Sequence, residues 1–146
     1  MTLDGIFITH RNGEFGRGVA VNSGGTLVMN SGVIANNAYD GNGGVCVDIY
    51  SSGTFLLSGG EIVNNTATYG GVYVANGSFK MSGDAVIANN TVTSGHGGGV
   101  YAVASSFEMC GNAVIANNKT SMGGGVSVYA FCTFVMSGNA VIAGYC

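Results

Sequence analysis

Apolar residues along this chain alternate with small or polar ones in short bursts, and the bursts return at a nearly fixed spacing. A Gly-Val step recurs at Val19, Val45, Val72, Val100 and Val126, at intervals of 26, 27, 28 and 26 residues. A second anchor follows each: Leu27-Val28-Met29, Phe55-Leu56-Leu57, Phe79-Lys80-Met81, Phe107-Glu108-Met109 and Phe134-Val135-Met136. The third is Val33-Ile34-Ala35, Glu61-Ile62-Val63, Val86-Ile87-Ala88, Val114-Ile115-Ala116 and Val141-Ile142-Ala143, and Ile6 to Thr9 matches it in a partial opening turn. Period-two alternation broken by Gly, Ser, Asn and Asp is a strand-and-turn pattern. Each unit of 26–28 residues therefore holds three short strands. Stacking unit on unit predicts an all-β parallel β-helix (solenoid) of about five turns, roughly 24 Å tall at ~4.8 Å per turn. The whole of 1–146 reads as one array, with repeats near 16–42, 43–69, 70–96, 97–122 and 123–146 after a partial turn over 1–15. A leucine-rich repeat has a similar period, but its Leu-x-x-Leu-x-Leu framework and helical segment are missing.

Alternation also sorts residues by face. In the first sheet Val19, Val21, Val45, Val47, Val72, Val74, Val100, Val126 and Val128 are expected inside. The second sheet sends in the Leu27/Phe column and the Met29/Leu57/Met column, and the third sends in Ile34, Ile62, Ile87, Ile115 and Ile142. Asn36, Asn64, Asn89 and Asn117 are expected to form a buried column where the third strand ends, bonding to one another and to the corner backbone. The Gly pairs and triplets before the first strand mark a corner of positive φ or close backbone approach. Strands follow these glycines, whereas a phosphate-cradling loop needs a helix there. Outside, the first sheet shows Ala20, Cys46, Tyr73, Tyr101 and Ser127, and the second shows Val28, Leu56, Lys80, Glu108 and Val135. On the third sheet Phe7, Val33, Val63, Val86, Ala88, Val114, Ala116 and Val141 make an almost wholly apolar outer face, interrupted by Glu61. A flat apolar face of this kind is normally covered by another chain, so it is the expected self-association face. Tyr73 and Tyr101 form a candidate ligand face that could stack on sugar rings, or simply a ladder that stabilises the sheet.

Composition narrows the function classes. Of 146 residues 27 are Gly and none is Pro or Trp, and 8% are charged against a usual ~25%. No apolar run approaches the ~18 residues of a membrane span. Four Lys and Arg against seven Asp and Glu, for a net charge of −3, cannot track a phosphate backbone, which excludes nucleic acid as a partner. The N-terminus shows no basic segment followed by an apolar one, so no signal peptide is visible.

Chemistry is sparse. Enzymes built on β-helices cluster carboxylates on one outer sheet, whereas Asp4, Glu14, Asp40, Asp48, Glu61, Asp84 and Glu108 fall at different places in the turn. Only Lys80 and Glu108 share a column, as a surface ion pair. Asp40-Gly41-Asn42-Gly43-Gly44 occurs once and offers too few oxygens for calcium. His10 and His96 stand alone, and Cys46, Cys110, Cys132 and Cys146 lack zinc spacing, so no metal or other cofactor is expected. Cys110 is level with Ser137 and Cys132 with Ser105, and the thiols read best as semi-buried replacements for Ser or Gly. Cys146, at the terminus, is the thiol expected to be unpaired or to form an intermolecular disulfide. Asn-x-Ser/Thr triplets start at Asn64, Asn76, Asn89 and Asn118; Asn64 and Asn89 would lie in the buried column.

Gly70-Gly71-Val72-Tyr73-Val74 with Phe79-Lys80-Met81-Ser82-Gly83, and the matching Gly98-Gly99-Val100-Tyr101 with Phe107-Glu108-Met109-Cys110, carry a family resemblance. So does Gly124-Gly125-Val126 with Phe134-Val135-Met136-Ser137. These resemble the repeats of bacterial surface proteins, of the polymorphic outer-membrane protein type and the related Gly-Gly-Gly-Val-Tyr-Val arrays. Family members pair Gly-Gly-apolar with Phe-x-x-Asn, and here the fourth place holds Asn30, Ser58, Ser82, Cys110 or Ser137. The resemblance implies a right-handed, extracellular or cell-surface β-helix used for adhesion or as a stalk, with no catalytic residue to carry over. With strand edges open at both ends, the leading expectation is a non-catalytic structural protein that assembles with itself into a filament or stalk. An adhesin segment binding glycan or a host surface is the alternative, and a fragment of a polysaccharide lyase-like enzyme is a lower one.

Overall fold

The computed structural model describes residues 1–10, 14–41 and 47–144. Short strands form at the three anchors of each unit, and each pairs in parallel with its counterpart one turn away. The first sheet comprises β3 (Val19–Val21), β6 (Val47–Tyr50), β10 (Val72–Ala75), β14 (Val100–Val103) and β17 (Val126–Tyr129). The second comprises β1 (Thr2–Leu3), β4 (Thr26–Met29), β7 (Thr54–Leu57), β11 (Ser78–Met81), β15 (Ser106–Met109) and β18 (Thr133–Met136). The third comprises β2 (Ile6–Ile8), β5 (Gly32–Ala35), β8 (Glu61–Val63), β12 (Val86–Ala88), β16 (Val114–Ala116) and β19 (Val141–Ala143). The protein is thus an all-β solenoid of about five turns, with no helix among the described residues. A small fourth sheet, β9 (Thr66–Ala67) with β13 (Thr91–Val92), adds a strand pair that the alternation did not predict, and it buries Ala67 and Val92.

Between the sheets like stacks on like. Phe55, Phe79, Phe107 and Phe134 form one column, with ring centroids 5.2, 5.0 and 4.8 Å apart and planes within 11° of parallel. Leu3, Met29, Leu57, Met81 and Met109 are buried in the neighbouring column, and Ile34, Ile62, Ile87 and Ile115 in a third. Each large side chain buried this way contributes about 1.5–3 kcal/mol, which is how a chain with so few ion pairs holds together.

The second turn enters its strand two residues later than the Gly-Val spacing suggested. Val47, not Val45, is level with Val19 and Val72, and Ile49 is level with Val21 and Val74. A slip of two preserves the inside-outside alternation, so the pattern alone could not detect it. Gly53 then falls in the next corner, where an added Cβ would lie 2.6 Å from the Val21 carbonyl oxygen. Val45, Cys46 and the Gly43-Gly44 pair lie outside the described residues. Ala102 joins the buried row of the first sheet beside Val128.

The asparagine column is also displaced. Asn36, Asn64, Asn89 and Asn117 are exposed and hold φ of 54–57°, whereas Asn37, Asn65, Asn90 and Asn118 are the buried ones. The first Asn of each pair uses the left-handed conformation that asparagine tolerates to reverse the alternation, and that turn drives the second Asn inward. Asn90 Oδ1 accepts from Asn65 N and Nδ2 (3.0 and 2.9 Å), and Asn118 Oδ1 accepts from Asn90 N and Nδ2 (3.0 and 2.9 Å). Asn65 Oδ1 accepts from Asn37 N and Nδ2 in the same way (both 2.9 Å). The last acceptor in the row, Asn37 Oδ1, meets His10 Nδ1 at 2.6 Å, so that nitrogen carries the proton and His10 ends the ladder. The glycines opposite are needed for space: a Cβ on Gly99 would lie 2.6 Å from Ile115 Cγ2 and 2.9 Å from Asn118 Nδ2. Among the Asn-x-Ser/Thr triplets, Asn64, Asn76 and Asn89 are therefore exposed and Asn118 is buried, which reverses the expectation for Asn64 and Asn89.

Candidate functional site

Three outward surfaces could carry function, and each follows from which residues alternate to the outside. On the third sheet, Phe7, Val33, Glu61, Val86, Val114 and Val141 lie in one register row. Ala35, Val63, Ala88, Ala116 and Ala143 make the row beside it. All eight residues expected on the self-association face thus fall in these two rows, although Ala88 does not reach the surface. Phe7 and Val141, at its two ends, are exposed; Val33, Val63, Val86, Val114 and Ala116 are half-buried and Ala88 is buried.

The outer face of the first sheet is more elaborate than the sequence suggested. Tyr73 and Tyr101 are register partners with ring centroids 5.5 Å apart. Tyr69, from the corner before β10, stacks against both at 5.9 and 5.8 Å, His96 stacks on Tyr101 at 5.5 Å, and Tyr50 meets the edge of Tyr73 at 5.6 Å. The two-residue slip of the second turn also places Asp48 outward beside Tyr73. Asp48 is nonetheless completely buried, because Arg17 lies over it with Nε 2.6 Å from Oδ2. The Arg17 guanidinium also sits 4.9 Å from the centre of the Tyr39 ring, donates to the Tyr39 hydroxyl (3.2 Å) and reaches toward Tyr50. Burial, reinforced by the negative charge of Asp48, pushes the Tyr50 phenol up to about 12. Burial likewise raises Tyr73 and Tyr101, seconded by the neighbouring phenols Tyr101 and Tyr129 respectively. The result is a tyrosine cluster whose ring faces are turned largely on one another. The Tyr39, Tyr69, His96 and Arg17 contributions were not legible in sequence, because corner residues follow no alternation rule, and the placement of Tyr50, at the end of β6, was hidden by the two-residue slip.

The second sheet carries the Lys80–Glu108 pair at 2.8 Å, in register as expected from the column they share. The hydrogen bond to Glu108 raises the Lys80 ammonium above its ordinary value. A shallow groove of about 310 Å³ lies along this face, lined by Leu56, Ser78, Ser106, Thr133 and Val135 around the pair.

No protein-family model, curated protein or solved structure matches the chain.

Among the described residues no three His, Cys, Asp or Glu side chains come together, and no helix is long and apolar enough to cross a membrane. Cys110 and Cys132 are unpaired thiols. Cys132 replaces the serine of its column, accepting from Ser105 N at 3.4 Å where Ser105 Oγ itself accepts from Gly77 N at 3.3 Å. Cys146 and most of the Asp40–Gly44 corner lie outside the described residues.

The last turn is less buried than the turns before it. Its inward rungs Val128, Met136 and Ile142 are 46%, 43% and 37% exposed, while their partners one turn earlier, Ala102, Met109 and Ile115, are fully buried. Three parallel strands, β17, β18 and β19, each form the edge of their sheet there. Sequence periodicity could not distinguish this turn, since its residues repeat those of the buried turns.

Proposed function

We propose that this protein is a non-catalytic structural β-helix that assembles with further copies of itself into a filament or stalk, at a cell surface or outside the cell. The observation that carries this reading is the outer face of the third sheet, where Phe7, Val33, Val86, Val114 and Val141 share one register row beside Val63 and Ala116. A flat apolar face of this kind fits the same face of a second copy, which gives a lateral contact. The likeness of its Gly-Gly-Val-Tyr and Phe-Lys-Met-Ser motifs to bacterial surface-protein repeats supports the same reading. Sedimentation velocity and electron microscopy of the 146-residue chain, with and without reductant, test the proposal. Elongated, concentration-dependent assemblies are expected; a monomer at high concentration in both conditions refutes it.

A second reading, an adhesin that binds glycan, draws on the tyrosine cluster. Its support is the convergence of five tyrosines, a histidine and an arginine around one sheet face. Against it, sugar stacking needs open ring faces, and these rings stack on each other. Binding on a glycan array that disappears in Tyr73→Ala or Tyr101→Ala would favour the adhesin.

A further inference from the structure

We infer that Asp48, Tyr39 and Tyr50 form a recognition site for the guanidinium of an arginine side chain, which this chain's own Arg17 occupies as an intramolecular ligand. The inference does not depend on self-association. Asp48 stands in the outward row of the first sheet, level with Ala20, Tyr73, Tyr101 and Ser127. The other four turns hold alanine, tyrosine or serine at that place, so the sheet forms without a charge there. Burying a carboxylate is unfavourable, and even a well-made buried ion pair adds little net stability compared with apolar residues of similar size. A carboxylate wholly shielded from solvent at this one position therefore points to recognition rather than to support of the sheet.

The site has the parts that recognition of a planar cation needs. Asp48 Oδ2 lies 2.6 Å from Arg17 Nε. The guanidinium carbon sits over the Tyr39 ring, 4.9 Å from its centre, and 6.0 Å from the centre of the Tyr50 ring, both within cation–π range. The Tyr39 hydroxyl accepts from Nη2 at 3.2 Å. A guanidinium has its donors in one plane and two flat faces, so it bonds at the rim and stacks at once; an ammonium does not. The walls are fixed independently of Arg17. Asp48 and Tyr50 belong to β6, Tyr50 meets the edge of Tyr73 at 5.6 Å, and Tyr39 N donates to the Thr66 carbonyl at 3.1 Å. Arg17, in contrast, is carried between Gly16 and Gly18 on a segment that forms no strand, anchored where Gly16 N donates to the Ala38 carbonyl at 2.7 Å. Its side chain is 34% exposed, whereas that of Asp48 is fully buried. Rigid walls around a side chain tethered between two glycines make a site with an exchangeable occupant. Arg17 swings out, and an arginine presented by another polypeptide takes its place against Asp48 and the two rings.

Calorimetric titration of the full chain tests the site, with capped Gly-Arg-Gly and N-ethylguanidinium as probes and capped Gly-Lys-Gly as the control. Arg17→Ala is expected to bind Gly-Arg-Gly at least about 10-fold more tightly than the wild type, in which the tethered arginine competes. Gly-Lys-Gly should bind the same variant at least about 10-fold more weakly than Gly-Arg-Gly. Tripeptide binding that N-ethylguanidinium cannot compete away would overturn the guanidinium as the recognised group. Arg17→Ala/Asp48→Ser removes the carboxylate, leaving the serine that Ser127 already supplies at this place, and should abolish binding. Because Arg17→Ala takes the guanidinium away from a buried carboxylate, its thermal midpoint is followed as well, and both probes should raise it. An Arg17→Ala chain that binds no more tightly than the wild type, or that stays unfolded with and without the probes, overturns the site. Undiminished binding to the double variant does the same.

Discussion

Replacing Asn90 by alanine is the sharpest probe of what holds this solenoid together. Asn90 is fully buried, and its Oδ1 is the acceptor recorded for the Asn65 backbone N–H at 3.0 Å. Its Nδ2 donates to the Ile62 carbonyl at 3.0 Å and to Asn118 Oδ1 at 2.9 Å. In Asn90→Ala, Asn118 Oδ1 still receives the residue 90 N–H, and Asn65 Nδ2 still has the Ile34 and Val63 carbonyls. The Asn65 N–H, in contrast, is left buried without an acceptor, a penalty of about 1–3 kcal/mol. The vacated volume between turns adds about 1 kcal/mol, giving a total near 2–4 kcal/mol. Asn89→Ala, one residue away, removes an exposed side chain and only the asparagine preference for a left-handed backbone, about 1 kcal/mol. Urea and thermal unfolding of the two variants decide the matter, with Asn90→Ala expected to lower the thermal midpoint by about 5–10 °C. Asn90→Asp, which keeps the volume but turns both donors into acceptors, should cost at least as much at neutral pH. Equal costs at positions 89 and 90, or a larger one at 89, would refute the ladder.

His10→Ala withdraws the donor that ends the same ladder at Asn37 Oδ1 and should cost about 1–2 kcal/mol, with His10→Gln recovering part of it because its amide can also donate; urea midpoints of the three proteins provide the check. The Tyr50 phenol, raised from 10.0 to about 12 in the fold, makes a pH prediction. The folded chain keeps this proton longer than the unfolded one, so the contribution is complete below pH 10 and is lost as pH rises through about 12. Ultraviolet tyrosinate titration should show a late-ionising tyrosine that Tyr50→Phe removes, together with a shallower loss of stability above pH 10; an unchanged titration curve would contradict the burial of the Tyr50 phenol.

Much of the architecture was present in the order of the amino acids. A strand-turn unit repeated with small variations leaves few ways to stack, and alternation within each anchor assigns the Phe, Met and Ile columns to the inside, where the structure has them. The shared column of Lys80 and Glu108, and of Cys132 and Ser105, followed from the same counting. The apolar outer row from Phe7 to Val141 did too, since every member occupies an equivalent position in its unit.

Three things needed the tertiary structure. The two-residue slip of the second turn is invisible to a pattern of period two, yet it alone places Asp48 beneath Arg17 and Tyr50 against Tyr73. Which asparagine of each pair is buried depends on a left-handed backbone turn at the first, and both residues are compatible with either role. Finally, Val128, Met136 and Ile142 are chemically indistinguishable from the rungs beneath them, so periodicity describes them as core. Whether a rung is buried depends on what lies above it. Periodicity reports only local likeness from one turn to the next; the neighbour across the turn, which sets burial and charge pairing, exists only once the chain has wound.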